Sequence, residues 1–275
     1  MATFFGEVLP VFSRAVREEE EEGREAASHR EVRVQWLPEN QGATGSCAGR
    51  CPPRSALIVA VGPNAVGFVN AFVQSAGDWE VIGTVTLWNE AVEGTKNLAQ
   101  EFPTDSSCLL YRLTSNPNIL TCHCSDVVPE DQLFQWTDKV FASLQKQNLN
   151  VIVLSNCSMA EYKSAEPVSG LVMPFLRALK TKEFKDSLCC PLLEQPNIIT
   201  GLPAAVLSYC QVWHIPAVVY QCHSNVTHLD SETIGAFKPL LSCHIAVPFE
   251  KDISRSAEIL KKLFENFNVQ SNLYT

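Results

Sequence analysis

The fold class predicted for this chain is α/β: a single Rossmann-like domain with a largely parallel central sheet flanked by helices. Three observations predict it. Strand-like and helix-like segments alternate from about residue 55 onward, the pattern of strands joined by crossover helices. Several strand-like runs are solid Val, Ile and Leu rather than alternating, as expected of strands covered on both faces. The 275 residues are also 46% hydrophobic, which is ample apolar surface for one large core.

Taken in order, residues 1–53 differ from the rest. They hold the acidic run Glu18 to Glu22 and then QGATGSCAGRCPPR, a composition expected to be disordered. The acidic run reads as a solvated segment. EVRVQW alternates, so a strand is expected at Val32 to Trp36. The core begins at SALIVAVG, where Ser55 to Val61 form an apolar run closed by Gly62. Pro63 and Asn64 then open a helix that stops at Gly77. Further strands are expected at Glu80–Trp88, Cys108–Leu113, Ile119–Ser125, Asn150–Ser155 and Ala217–Gln221.

Helices fall between them. Pro129 to Gln147 starts with Pro and two acids, which suit a first helical turn. Its Leu133, Trp136, Val140, Phe141 and Leu144 make one apolar stripe. Leu202 to Trp213 is a second helix. Ser256 to Phe267 is the last, with Ile259, Leu260, Leu263, Phe264 and Phe267 on one face. The stretch from Met159 to Thr200 breaks the alternation; it reads as a long loop with a short helix around Pro174 to Leu179. The chain therefore divides into a disordered acidic segment (1–53), an α/β domain (54–267) and a flexible C-terminal tail (268–275).

A net charge of −9 and a pI near 5.2 argue against a nucleic-acid partner, because phosphate binding needs a basic face. No run approaches the roughly 18 apolar residues that cross a bilayer. The first residues, MATFFGEVLPVFSR, lack the basic start and apolar run of a signal peptide. The 11 cysteines are accordingly expected to be free thiols in a reducing, cytoplasmic compartment.

The segments that resemble motifs for chemistry are each incomplete. VGPNAVGFV resembles a phosphate-binding turn only in outline: Asn64 stands at the middle glycine of G-x-G-x-x-G, and Phe68 stands where a P-loop has lysine. In TCHCSD, Cys122 and Cys124 share one face of a strand and His123 takes the other, so the three do not ligate one zinc. The segments LSYC, NCS and QCHSN carry Cys or Ser, with His214, His223, His228 and His244 as conceivable bases. No nucleophile elbow or cysteine-protease signature surrounds them. No catalytic, metal or cofactor residue is assigned, although a hydrolase-type Cys or Ser site assembled in space remains the alternative reading.

The end of the chain, NVQSNLYT, is polar through Asn272 and then apolar at Leu273 and Tyr274. Hydrophobic–Tyr–any residue before a terminal carboxylate is the pattern of tails that dock between α-subunits of the 20S proteasome, where a lysine meets the carboxylate. The segment Pro174 to Cys222 closely resembles the proteasome assembly chaperones. So do MATFFGEV, LWNE (Leu87–Glu90), EDQLFQW (Glu130–Trp136), AFKPLL (Ala236–Leu241) and EILKKL (Glu258–Leu263) with the terminal QSNLYT. The resemblance covers most of residues 55–275 and is loose over Arg17–Pro53 and His244–Asp252. It implies a non-enzymatic subunit that forms a heterodimer with proteasome assembly chaperone 2. It further implies binding to the outer face of the ring of 20S proteasome α-subunits, which would promote ring formation and block α-ring dimers and early cap binding. Leu273, Tyr274 and Thr275 are the residues it assigns to docking.

Overall fold

A computed structural model describes residues 31–37, 55–87, 107–164, 172–243, 250 and 252–272. From Val32 onward the chain forms one compact unit. The acidic run and the Gly-rich stretch lie outside the described residues.

Eight strands make one sheet: β1 (Arg33–Trp36), β2 (Ser55–Val61), β3 (Trp79–Thr86), β4 (Ser107–Leu113), β5 (Asn116–Cys124), β6 (Leu149–Ser158), β7 (Phe175–Lys180) and β8 (Ala217–Ser224). Their spatial order is β1-β3-β4-β5-β2-β6-β8-β7. The solid apolar run SALIVAV sits in the middle, where both faces and both edges are covered. β2 pairs in parallel with β5 (Val59 opposite Cys122) and with β6 (Val59 opposite Val153). β8 continues the parallel set beside β6. The predicted parallel core is thus β5-β2-β6-β8. Its flanks, β4-β3-β1 on one side and β7 on the other, are antiparallel.

Successive residues of the parallel strands feed opposite cores. On one face Leu57, Val59, Val151, Val153 and Val219 pack against α2 (Leu133–Ala142) and α3 (Gly201–Val212), through Trp136, Val140 and Phe141 of α2 and Leu202, Val206 and Cys210 of α3. On the other face Ile58, Ala60, Ile152, Leu154, Val218 and Tyr220 pack against α1 (Pro63–Phe72), α4 (Ser231–Gly235) and the turn after it. There Phe68 lies between the rings of Phe72 and Phe237, with centroids 5.1 and 5.6 Å away. Each such fully buried side chain contributes roughly 1.5–3 kcal/mol of transfer free energy.

A final helix, α5 (Ile253–Asn272), lies over α1 and packs Ile259, Leu260 and Phe264 onto this second core. Its start is fixed twice. The Asp252 carboxylate accepts from the backbone N–H of Ser254 at 2.9 Å, an N-cap that satisfies an otherwise unpaired donor. The Glu250 N–H donates to the Phe72 carbonyl at 2.8 Å, tying the approach to the end of α1.

Three expectations change. Phe175–Lys180, read as a short helix, is strand β7, hydrogen-bonded to β8 with Leu176 opposite Cys222 and Ala178 opposite Tyr220. FLRALK is rich in good helix formers, but the open edge of β8 offers a full ladder, and alternation buries Leu176 and Ala178. Tertiary pairing outweighs propensity here. The helix expected over Pro129–Gln147 is shorter: a 3₁₀ turn at Glu130–Gln132 leads into α2, which stops at Ala142. The last helix is longer than expected; its backbone is helical to Asn272, past the point where the tail was taken to begin.

Candidate functional site

Open α/β sheets bind ligands beyond the carboxyl ends of the parallel strands, so that edge comes first. The turn after β2 starts at Gly62, whose φ of +87° only glycine adopts without strain. Its N–H donates to the Cys124 carbonyl at 2.8 Å. Asn64, at the position where a dinucleotide loop needs glycine, is fully buried. Its amide donates to the His228 carbonyl at 2.8 Å, and its oxygen accepts from the Asp230 N–H at 2.7 Å. The side chain fills the turn and clamps the loop after β8. The Asn64 amide is thus used up within the protein, at the position where a dinucleotide loop has its close-approach glycine.

One step along the same edge, β6 and β8 bring Cys157 and His223 into register. Cys157 Sγ is 3.1 Å from His223 Nδ1, a nucleophile-and-base distance that no local motif announced, since 66 residues separate the pair. Burial pushes the Cys157 thiol up to about 11, and burial, helped by the nearby Arg177 charge, lowers the His223 imidazole to about 4. Both effects keep the proton on sulfur. An activated cysteine needs the opposite, a depressed thiol beside a protonated base. His223 Nε2 also has no hydrogen-bond partner that would orient the ring. The ring instead packs between Tyr162 and Phe175, at 4.8 and 5.2 Å. Arg177 completes this corner: it donates to Glu194 at 2.9 Å, and Tyr162 hydrogen-bonds the same carboxylate. Burial would raise the Glu194 carboxyl, but these two partners hold it down at about 2. The corner is a packed ion-pair network, not a hydrolytic centre.

The TCHCSD segment behaves as its strand geometry requires. Cys122 and Cys124 face one core, with sulfurs 3.8 Å apart, and Cys108 joins them. Burial first, then the neighbouring thiols, pushes Cys124 well up. His123 faces the opposite core against the Tyr111 ring at 4.8 Å, and burial lowers it to about 4. Among the described residues no group of three or more His, Cys, Asp or Glu is suited to hold a metal ion. Of the other histidines named as bases, His214 is exposed and bonds Glu183 at 3.1 Å, and His244 lies outside the described residues. All nine described cysteines are free.

The assigned docking residues, Leu273, Tyr274 and Thr275, lie outside the described residues. They follow α5, whose inner face is packed on α1 and whose outer face carries Lys261 and Glu265, 4.0 Å apart. No helix among the described residues is long and apolar enough to cross a membrane.

The comparisons agree with this geometry. The family model described as proteasome assembly chaperone 4 matches residues 1–275. The chain is 50% identical over 286 residues to proteasome assembly chaperone 1 of Xenopus tropicalis, with all of both chains covered. It is 47% identical over 287 residues to proteasome assembly chaperone 1 of Homo sapiens, covering 100% of this chain and 99% of the relative. In fold it is similar to the archaeal proteasome activator PbaB of Pyrococcus furiosus, with a TM-score of 0.51 at 10% identity, covering 90% and 100% of the two chains. A protein of unknown function from Corynebacterium glutamicum gives 0.54 at 13% identity, covering 87% and 90%. This is a family of chaperones, not of enzymes, and the chain belongs to it: the proteasome assembly chaperones.

Proposed function

We propose that this chain is a cytoplasmic chaperone of 20S proteasome assembly, working as a heterodimer with proteasome assembly chaperone 2. The pair binds the outer face of the α-ring, promotes ring formation and blocks both α-ring dimers and early cap binding. Leu273, Tyr274 and Thr275 dock between neighbouring α-subunits. The observation that carries this reading is the match to curated assembly chaperones along the whole chain.

The physics of the role is coherent. Leu273 fills a pocket, Tyr274 adds area and a hydroxyl, and the carboxylate is captured by a basic group. α5 is capped at Asp252 and packed on α1, so a peptide leaving its end is held by a rigid body. A tail and a globular face on one body bind together more tightly than either alone, through effective concentration. A seam between two subunits exists only once both are in place, so the tail reads assembly state. Cap complexes with similar tails compete for the same pockets.

The test is recovery of 20S α-subunits by the full chain and by a chain lacking Leu273–Thr275, each co-expressed with the partner chaperone. Loss of α-subunits with the partner retained is the expected result. Unchanged recovery would place docking on the globular body instead. Recovery of no α-subunits by either form would sink the chaperone reading.

A further inference from the structure

The two ends of the sheet differ in sign and in exposed apolar surface. The parallel strands β2, β5, β6 and β8 all finish at one end, the carboxyl end, at Val61, Cys124, Ser158 and Ser224. α2 leads from β5 back to the start of β6, and α3 leads back to the start of β8, so both helices begin at the carboxyl end. They lie side by side, with the Phe141 and Tyr209 rings stacked at 4.8 Å. Three strongly exposed apolar side chains gather at their heads. Val127, between β5 and α2, is 89% exposed; Phe134 of α2 and Ile198, just before α3, are each 77% exposed. Ile198 is tied there by Asn197, whose side chain accepts from the Lys163 N–H at 2.6 Å, a few residues past the end of β6. Exposed Asp126, Glu130, Asp131 and Glu161 surround them and outnumber Lys163. The α2 dipole favours Glu130 and Asp131 at its start, but it gives Val127 and Phe134 no reason to stay in water. One such residue is ordinary; a group on one rim marks a contact surface. At the opposite, amino end Lys146, Lys180, Lys182 and Lys185 outnumber Glu183 and Asp186, and Lys146 lies 3.7 Å over the exposed Trp213 ring.

The last helix ends on the acidic side. α1 runs back from Gly62, and its final residue, Phe72, accepts from the Glu250 N–H at 2.8 Å, which sets the start of α5 at the amino end. From there α5 packs Ile259, Leu260 and Phe264 onto the α1-side core, so it travels towards the carboxyl end. Its 20 residues span about 30 Å, whereas the seven residues of β2 span about 23 Å. Asn272, the residue before the assigned docking residues, is thereby brought to the end that carries Val127, Phe134 and Ile198. We propose that this carboxyl-end rim is the globular contact that seats the chain on the 20S α-subunits beside the tail; the inference rests on the docking reading given above. The partner surface it fits is apolar and edged with Lys or Arg. Val127, Phe134 and Ile198 are buried against it, and Asp126, Glu130 and Asp131 face its cations. Two arguments select this occupant. A tail and a face that engage one body together must leave the same end of the molecule, as α5 arranges. The terminal carboxylate and the rim acids also share a sign, so a basic surface that captures one attracts the others and repels the lysine-rich amino end. The heterodimer partner is then held elsewhere.

The experiment titrates the full chain, co-purified with its partner chaperone, onto immobilised 20S α-subunits. Phe134→Ala combined with Ile198→Ala is expected to weaken binding about tenfold or more, with the partner retained and the melting temperature unchanged. Asp126→Lys is expected to weaken it at low salt, by a factor that shrinks as salt is raised. Val212→Ala, at the amino end, is expected to leave it as it was. Unchanged affinity in the Phe134→Ala, Ile198→Ala chain, while removal of Leu273–Thr275 abolishes binding, would overturn the rim contact and leave the docking reading standing. Loss of the partner chaperone instead would assign the rim to the heterodimer, and loss of self-association would assign it to a second copy; either overturns the proposal. A full chain that binds no α-subunits would overturn it together with the reading beneath it.

Discussion

The two faces of the sheet are built differently. On the α1 face a second helix covers the first, so α1 is buried almost all round and includes Phe68, Val69 and Phe72. On the α2–α3 face there is one layer of helix. Phe134 of α2 and Val212 of α3 point outward, 77% and 73% exposed, although Trp136 and Val206 of the same two helices are sealed. The difference teaches that an apolar residue in this chain carries structural weight only by its layer, and that composition alone does not reveal which.

The comparison can be broken most forcefully at the centre of each face. Phe68→Ala and Trp136→Ala are each expected to cost about 3–5 kcal/mol in denaturant unfolding, because both leave cavities in close-packed cores. A much smaller loss at either would mean that its face is loosely packed. Acid comes next, since each face buries one neutral imidazole, His123 against Tyr111 and His223 beside Cys157. Both fall from the usual value near 6.5 to about 4. The unfolded chain therefore binds protons first as pH falls. The stabilisation is complete above about pH 6.5 and is lost towards pH 4, on the order of 3 kcal/mol per group. Replacing either His by Leu is expected to flatten the pH dependence of the unfolding midpoint by about half; an unchanged slope would place the titration elsewhere.

A smaller effect probes the clamp between α1 and the loop after β8. Asn64→Ala strands the His228 carbonyl and the Asp230 N–H, and about 1–3 kcal/mol of stability should go with them. The smallest change sharpens the contrast. Phe134→Ala is expected to shift stability by no more than about 0.5 kcal/mol, and a larger loss would show that the outer surface of α2 bears on the fold.

Much of the fold was legible because its signals are local. The run Ser55–Val61, the Gly62–Pro63 turn and the stripe of α2 each carry their periodicity or punctuation within a dozen residues. β7 was not legible: Arg177, Ala178 and Lys180 favour helix, and only the vacant edge of β8, some forty residues later, makes them a strand. The antiparallel flanks escaped for the same reason, since pairing direction depends on partners rather than on composition. At the strand edge, Cys122 and Cys124 were placed correctly by alternation. The meeting of Cys157 with His223 depends on register between distant segments. The docking residues were read from their pattern and their resemblance, not from geometry.

The layering of α1 under α5 also has a meaning for synthesis. Roughly 180 residues separate the end of α1 from the start of α5, so on a ribosome adding about 5–20 residues per second α1 waits some 10–40 s for its outer cover. During that interval its apolar flank is open to other nascent chains, and helpers that bind exposed apolar segments have their longest opportunity there. The last helix to emerge is the one that ends the wait.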